Sequence, residues 1–533
     1  MSLVMLITYQ RIMCTSCWRK STRYIASGRL FASSRASLPL DDARDDKKVE
    51  MLTALKRAPS LHDLPGPKPS FPFIGTGWQY FRWSRYNLYK LHEANLDKYR
   101  RYGPIVREEY QWRRPVVHLF KPEDFETVFR HQGKYPLRPV SEFLKYYRLN
   151  NPQKYDSVGL VNSVGEEWYR LRSALTPVLM KMKSLHGMLS HQNEICDDFL
   201  SFIRRIRERD TNQITDLQDV LYRLALESIC VMCMDCRLGS LDPKLKPDSD
   251  AQIMIAASKK MFEAYQKLYY GLPLWKYFKT PAYQKLDEAE SAVYSSASKY
   301  IEKALKRLEN GENKKHNKYN SVLETLVQVN GLSEKETRMA IIDFISGGIF
   351  TVTNSMCFLL YHLAKNQDVQ AKLHEELQRI IPDGEVTTEH LASLQYLKAC
   401  VKETFRLTPT VPCLTRILPE DVVLSGYLIP AGTPLFCHFK VSCELSENFP
   451  SPKSFWPERW LNNRNSIHPF CMLPFGFGNR MCVGRRFTEM ELYITVAKII
   501  QNFHLETIHE KLGIIQAFIT VPSHPVAIKF HDR

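Results

Sequence analysis

Residues 475–484 read FGFGNRMCVG and hold a cysteine in a setting suited to metal chemistry. Cys482 follows a glycine-rich turn and an arginine, and a helix-like run, RRFTEMELYITVAKIIQNF, begins at Arg485. A thiolate presented at a helix N-terminus is stabilised by the helix dipole and by free backbone N–H groups, so it ligates a metal without a protonation penalty. Gly476, Gly478 and Gly484 let a flat group lie against backbone. With no second Cys or His close by, this is a poor zinc site. It suffices as the single protein ligand of a haem iron.

A second stretch, SGGIFTV at 346–352, sits inside a long apolar run. Gly347 lies one helical turn before Thr351, so the two share a face. The absent side chains at Gly347 and Gly348 predict a groove, with the Thr351 hydroxyl placed to hydrogen-bond oxygen or an ordered water. Phe350 can neither donate nor accept a proton.

The helix that must carry this groove is predicted to start at Ser333, where S-E-K-E forms a capping box with Glu336, and to end near residue 366. Residues 341–364 are apolar enough to imitate a membrane span. Asp343, His362 and the group Thr351, Thr353 and Asn354 would be costly facing lipid, so a buried core helix is the better reading. Strand-like alternation falls at 105–110, 115–120 and across 421–436, the last read as two strands around Ser425 and Gly426. Residues 61–75 contain four prolines and two glycines, which predicts a stiff connector rather than a helix. CVMCMDC at 230–236 has the start of an iron–sulfur run, but the fourth position is Ser240 and the surroundings are helix-like, which favours buried thiols.

The 533-residue chain, 44% hydrophobic and 24% charged, has the composition of a folded globular protein. Its net charge of +16 is uneven: residues 1–40 hold six basic residues and no acid. That N-terminal composition, rich in Arg and Ser, predicts a mitochondrial transit peptide with its linker over 1–45. The remaining charge is diffuse and lacks a nucleic-acid motif, so no nucleic acid is expected as a partner. Thirteen scattered cysteines argue against a disulfide framework.

Residues 475–484 resemble the haem-binding signature of the cytochromes P-450, F-x-x-G-x-R-x-C-x-G, at Phe475, Gly478, Arg480, Cys482 and Gly484. E-x-x-R at Glu403 and Arg406, F-x-P-E-R-W at 455–460 and W-x-x-x-R at Trp168 and Arg172 follow the family's order, so the resemblance runs from about residue 60 to the C-terminus. It implies a mainly α, single-domain cytochrome P-450 fold over 46–533 with a small β region, and haem b between the long central helix and the Cys loop. Cys482 would be the axial ligand and Phe475 part of the cofactor-binding stretch. Trp168, Arg172, Arg416 and Arg480 would grip the two propionates, which need charge-assisted donors. Glu403, Arg406 and Arg459 would form a buried triad. Gly347, Gly348 and Thr351 would be the catalytic positions of a monooxygenase, in an oxygen-activating groove that lacks the family's usual acid at position 350.

No glycine-rich flavin or nicotinamide fingerprint of the Rossmann type is apparent, so a separate reductant is expected. Lys398 and Lys402, spaced i, i+4, resemble the lysines with which mitochondrial members dock an acidic ferredoxin. The implied partners are an adrenodoxin-like ferredoxin and its NADPH-ferredoxin reductase. Aromatic residues and lysines at 262–279 suit peripheral attachment to the inner mitochondrial membrane, on the matrix side. The segments SGGIFTVTNS and GYLIPAGTPLF are most like those of the ecdysteroid branch. That implies a steroid substrate and O2, with ecdysone hydroxylated at carbon 20 as the specific expectation. Open alternatives are another ecdysteroid carbon, a sterol or vitamin D side chain, a xenobiotic, or a catalytically silent haem-binding sensor or carrier.

Overall fold

The computed structural model describes residues 58–533 apart from 82, 112–113, 181–186, 271–272, 311–319, 463–465 and 517. The expected transit peptide at 1–45 lies outside the described residues. Helix dominates. The longer helices are α1 (Leu91–Tyr102), α2 (Gly165–Leu179), α3 (Leu189–Ile206), α4 (Leu217–Met234), α5 (Asp250–Tyr270), α6 (Pro281–Glu309), α7 (Glu334–Lys365), α8 (Gln367–Ile380), α9 (Gln395–Leu407) and α10 (Arg485–Asn502).

The long helix α7 starts where its sequence predicts. Ser333 Oγ accepts from the Glu336 amide and Glu336 Oε2 accepts from the Ser333 amide, each at 3.1 Å. Its most apolar stretch is 78% buried inside the protein, the signature of a core helix. α4 lies along it, and the side chains of both belong to the largest hydrophobic cluster. Cys230 and Cys233 are buried in α4, where burial raises both thiols well above their ordinary range. No group of three potential metal ligands occurs among the described residues.

The β region is small. β1 (Ile105–Gln111), β2 (Arg114–Leu119), β7 (Pro434–Cys437) and β4 (Leu414–Ile417) form a four-stranded sheet in that order, with β2 and β7 parallel. β3 (Gln213–Ile214), β11 (Ile528–Asp532) and β8 (Phe503–Thr507) form a second sheet. Two hairpins stand apart: β5 (Val422–Leu424) with β6 (Tyr427–Ile429), and β9 (Ile514–Gln516) with β10 (Thr520–Pro522). Positive φ at Ser425 (46°) and Gly426 (85°) turns the first hairpin as expected. The 421–436 segment nevertheless yields three strands. After Ile429 a Pro430–Thr433 turn redirects the chain, so Pro434–Cys437 joins the larger sheet.

The proline-rich connector forms one 3-10 turn, Leu61–Asp63, capped by Ser60 ahead of its first proline. Beyond it the chain lies against β1. A Cβ at Gly66 would stand 2.1 Å from the Arg107 carbonyl oxygen, and one at Gly75 1.9 Å from that of Glu109.

A buried polar chain that sequence spacing does not foretell ties α1 to the larger sheet. Asn95 Nδ2 donates to His438 Nδ1 (3.2 Å), which leaves His438 Nε2 to donate to His118 Nδ1 (2.8 Å) and His118 Nε2 to face Glu108 Oε2 (2.9 Å). Lys98, also fully buried, closes the chain on the same carboxylate at 2.5 Å and holds it well below the usual range. Every charge here has a partner, so a buried network is tolerated.

Glu491 in α10 is the opposite case. It is 1% exposed, its Oε1 has no hydrogen-bond partner, and burial pushes its carboxyl up to about 8. A carboxyl raised in the folded state binds more protons folded than unfolded, so stability falls as pH rises from about 4.5 toward 8. Glu491→Gln should therefore leave the melting temperature unchanged near pH 4 and raise it near pH 8. The gain should reach ~4 kcal/mol by the rule of ~1.4 kcal/mol per pKa unit. A pair of thermal melts across that range checks the sign.

Candidate active site: a cysteine, an arginine cluster and an open helix face

Cys482 sits just before Gly484, the N-cap of α10. The preceding turn is fixed by positive φ at Gly476 (76°) and Gly478 (70°) and by the Cys482 amide donating to the Phe475 carbonyl at 2.8 Å. A side chain at Gly478 would collide with Gln132 Nε2, 2.3 Å from its ideal Cβ. Cys482 is deep yet accessible: surrounding protein raises its thiol pKa, while one side of the residue stays open. Backbone N–H groups of Gly484 and Arg485, with the Arg172 charge, oppose that rise by favouring the thiolate.

Facing the same region are four arginines from four chain segments: Arg138, Arg172, Arg416 and Arg480. Burial depresses all four, and repulsion from neighbouring arginines adds to it at Arg172, Arg416 and Arg480. Arg480 is pushed down to about 8, by burial first and then by Arg138, Arg416 and Arg172. Its Nε and Nη2 donate to the carbonyls of Pro136 (3.0 Å) and Ser163 (2.8 Å), and its guanidinium lies 4.2 Å from the Trp168 ring centroid. Nη1 is buried without a partner. Arg416, held by Gln132 Oε1 at 2.7 Å, is pushed down to about 10. Among the described residues none of the four makes a salt bridge to a carboxylate. An uncompensated cluster of this kind fits a group that brings two carboxylates of its own. Arg138 and Gln132 were not foreseen; neither has a spacing signal in the sequence.

On α7, Thr351 Oγ1 donates to the Gly347 carbonyl at 2.7 Å. A Cβ at Gly347 would meet nothing within 4 Å, so this glycine opens space. Gly348 does not. Its Cβ would approach Ile229 Cδ1 of α4 at 3.0 Å, which makes Gly348 a packing glycine between two helices rather than a groove position. Phe350 stacks on Phe262 of α5 with centroids 3.9 Å apart and planes at 13°, and leans toward Tyr222 of α4. Asn354 Nδ2 donates to the Phe350 carbonyl (2.8 Å), and Asn354 Oδ1 accepts from Gln218 (3.0 Å). Thr353 is fully buried and its Oγ1 has no partner.

Glu403, Arg406 and Arg459 come together with no exposure above 1%. Arg406 donates to Glu403 through Nε (3.0 Å) and Nη2 (2.8 Å), and Arg459 Nε donates at 3.1 Å. The Trp460 indole and the Trp456 amide complete the carboxylate's shell at 2.9 and 3.0 Å. Arg406 also binds the carbonyls of Cys443, Pro452 and Ser454, so the triad braces the segment that precedes the cysteine turn. Removing Glu403 would strand two buried guanidinium groups, a defect worth ~3–5 kcal/mol. Lys398 and Lys402 lie on the same helix, α9, both partly exposed. Lys398 donates to the Ala392 carbonyl and Lys402 lies over the Trp460 ring at 5.9 Å.

A lone cysteine at a helix N-terminus beside an arginine cluster with no carboxylate partner among the described residues fits a haem-thiolate site. The chain belongs to the cytochrome P450 family, whose model matches residues 65–530. Members of this family carry haem ligated by a cysteine thiolate, and this protein is accordingly a cytochrome P450 monooxygenase. It is 34% identical over 506 residues to "Ecdysone 20-monooxygenase" of Drosophila melanogaster, an alignment covering 93% of each chain. It is also 33% identical over 477 residues to mouse "1,25-dihydroxyvitamin D(3) 24-hydroxylase, mitochondrial", covering 89% of this chain and 90% of that one. "Cytochrome P450 302a1, mitochondrial" of Drosophila melanogaster is 30% identical over 477 residues, covering 88% and 95%.

Proposed function

We propose that the protein is a mitochondrial steroid hydroxylase acting on an ecdysteroid, converting ecdysone to its 20-hydroxy product with O2 and electrons delivered by a ferredoxin. The observation that carries this reading is the similarity to ecdysone 20-monooxygenase along 93% of both chains, in a protein whose Cys482 and arginine cluster fit haem. A basic, Ser-containing N-terminus and relatives named as mitochondrial support the location.

Bound haem supplies activation of O2 for insertion of one oxygen atom into a C–H bond, the other atom leaving as water. The residues of the chain do the rest. Cys482 would be the ligand; burial raises its thiol, and the amides at the start of α10 with the Arg172 charge favour the thiolate against that rise. Arg172, Arg416 and Arg480, with Trp168 against the Arg480 guanidinium, would hold the propionates, joined by Arg138; the Phe475 carbonyl fixes the cysteine turn. Gly347 leaves open space on its face of α7, and the Thr351 hydroxyl, which donates to the Gly347 carbonyl, would orient a proton-carrying water. Phe350 cannot relay a proton, so water aided by Thr353 or Asn354 would take the place of the family's acid. Lys398 and Lys402 receive the acidic ferredoxin, whose reductase draws on NADPH. Exposed Leu274, Tyr277 and Phe278, at the end of the aromatic 262–279 segment, support peripheral contact with the matrix side of the inner membrane, while Trp275 packs inward on Tyr283. Gly271 and Leu272 of that segment lie outside the described residues.

The test is a panel of ecdysteroids, sterols and vitamin D compounds turned over with ferredoxin, reductase and NADPH, with products read by mass. Ecdysone should give one product heavier by one oxygen, hydroxylated at carbon 20. Turnover of a vitamin D compound alone would favour the side-chain hydroxylase reading that the mouse relative motivates. NADPH consumption with no product from any member would favour the silent carrier that Phe350 invites. Thr351→Ala should lower product per NADPH at least several-fold and raise peroxide release, at unchanged substrate affinity; undiminished coupling would refute the role given to its hydroxyl. Lys398→Glu with Lys402→Glu should raise the ferredoxin concentration needed for half-maximal turnover by tenfold or more. An unchanged ferredoxin dependence would remove these lysines from the docking surface.

A further inference from the structure

Most of helix α7 is buried, but Asp343, Gly347 and Thr351, spaced one turn apart, form a stripe that stays partly or fully open. Ile342, Ile345 and Ile349 on its other sides are buried. Gly347 and Thr351 belong to the proposed oxygen groove. Asp343 begins the same stripe ~12 Å before Thr351, by the helical rise of ~1.5 Å per residue.

The Asp343 carboxylate is held by Arg148, from the short helix Glu142–Leu149. Arg148 Nη1 donates to Asp343 Oδ2 at 3.1 Å and to the Val158 carbonyl at 3.0 Å, and Nη2 donates to Asp343 Oδ1. A two-pronged pair fixes both the position and the plane of the carboxylate. The fit demands glycine beside it: a Cβ at Gly159 would stand 2.0 Å from Arg148 Nη1 and 2.8 Å from Asp343 Oδ2. The Arg148 side chain is shut away at 3% exposure, and its Nε has no partner. Asp343 keeps 14% of its side chain exposed. An arginine fork occupies two of the roughly four acceptor positions of a carboxylate, so the outward ones are left over. Glu290 of α6, buried nearby, accepts from the Tyr265 hydroxyl at 3.0 Å. Burial raises the Glu290 carboxyl, which leaves Asp343 as the charge that answers Arg148. An ion pair that served only to pin two helices would be best fully buried with every donor satisfied. This pair is open on its acid side and unsatisfied on its basic side.

We infer that Asp343 contacts the substrate, accepting hydrogen bonds from hydroxyl groups at the end of the steroid remote from the oxidised carbon, and that Arg148 is its positioning residue. The inference rests on the proposed reading of the protein as an ecdysteroid hydroxylase. With the steroid side chain oxidised beside Thr351, the fused rings extend along α7 toward Asp343, and ecdysone carries two adjacent hydroxyls on its terminal ring. A fixed carboxylate with two outward oxygens matches two adjacent O–H donors. One such polar point in a mainly apolar pocket sets the orientation of the ligand. It also rejects an analogue lacking the hydroxyl, which leaves the acceptor unmatched.

The test titrates the ferric holoenzyme with ecdysone and with 2-deoxyecdysone, which lacks one of the two adjacent hydroxyls, and reads each dissociation constant from the ligand-induced shift of the haem spectrum. The parent should bind ecdysone at least fivefold more tightly. Arg148→Leu with Asp343→Leu removes both charges together and strands neither. In that variant the ratio should fall below twofold, through weaker binding of ecdysone alone. Asp343→Asn keeps the shape of the side chain, guards against a misfolded double variant, and should at least halve the ratio. A parent ratio below twofold would overturn the inference. So would equal weakening of both steroids in the two variants, because the pair would then serve the fold alone. Failure of the underlying reading looks different: the parent would give no shift with either steroid while still binding imidazole at its haem, and the inference would fall with it.

Discussion

Four guanidinium groups gathered without an acid, Arg416 buried and the other three partly so, are the constraint on which the rest of this structure turns. Burial lowers Arg138, Arg172, Arg416 and Arg480, repulsion from neighbouring arginines adds to it at the last three, and one nitrogen of Arg480 finds no partner. Such a cluster is unfavourable alone and becomes favourable against a dianion. Its members come from a loop, from α2, from β4 and from the cysteine turn, so a cofactor with two carboxylates would draw these elements together. The same field reaches Cys482, where Arg172 and the first amides of α10 favour the charged sulfur against burial. Charge on a cofactor's edge and charge on its thiolate ligand would thus be answered by one arrangement.

The frame beneath that arrangement is stiffened by polar networks of two kinds. Glu403, Arg406 and Arg459 form a satisfied triad under the cysteine segment, with carbonyls and two tryptophans completing every valence that matters. The chain from Asn95 through His438 and His118 to Glu108 pins the larger sheet to α1. Both are buried, and both would cost stability if one member were removed. Glu491, by contrast, is buried with no basic partner, and its raised carboxyl shows what burial does to an acid that only Ser228 supports.

Some of this was legible in the sequence because it is local. The Ser333 capping box, the turn before Cys482 and the i, i+3 spacing of Glu403 and Arg406 are written within a few residues of each other, and periodicity converts such spacing directly into geometry. What could not be read is non-local. Gln132 meets Arg416 across 284 residues and His118 meets His438 across 320, and no spacing rule reaches that far. Gly348 illustrates a subtler limit. Periodicity places two adjacent glycines on different faces, yet only the packed structure reveals that Gly347 faces open space while Gly348 faces Ile229. Phe350 is similar: its identity shows that an acid is missing, and only its stack on Phe262 shows what stands there instead.

The measurement that tests this account most directly is the reduced carbon-monoxide difference spectrum of the haem-reconstituted protein beside that of Cys482→Ser. A haem-thiolate centre built on Cys482 predicts the strongly red-shifted band of thiolate ligation in the parent protein and its complete loss in the variant. A parent spectrum without that band, or the same band in Cys482→Ser, would contradict it.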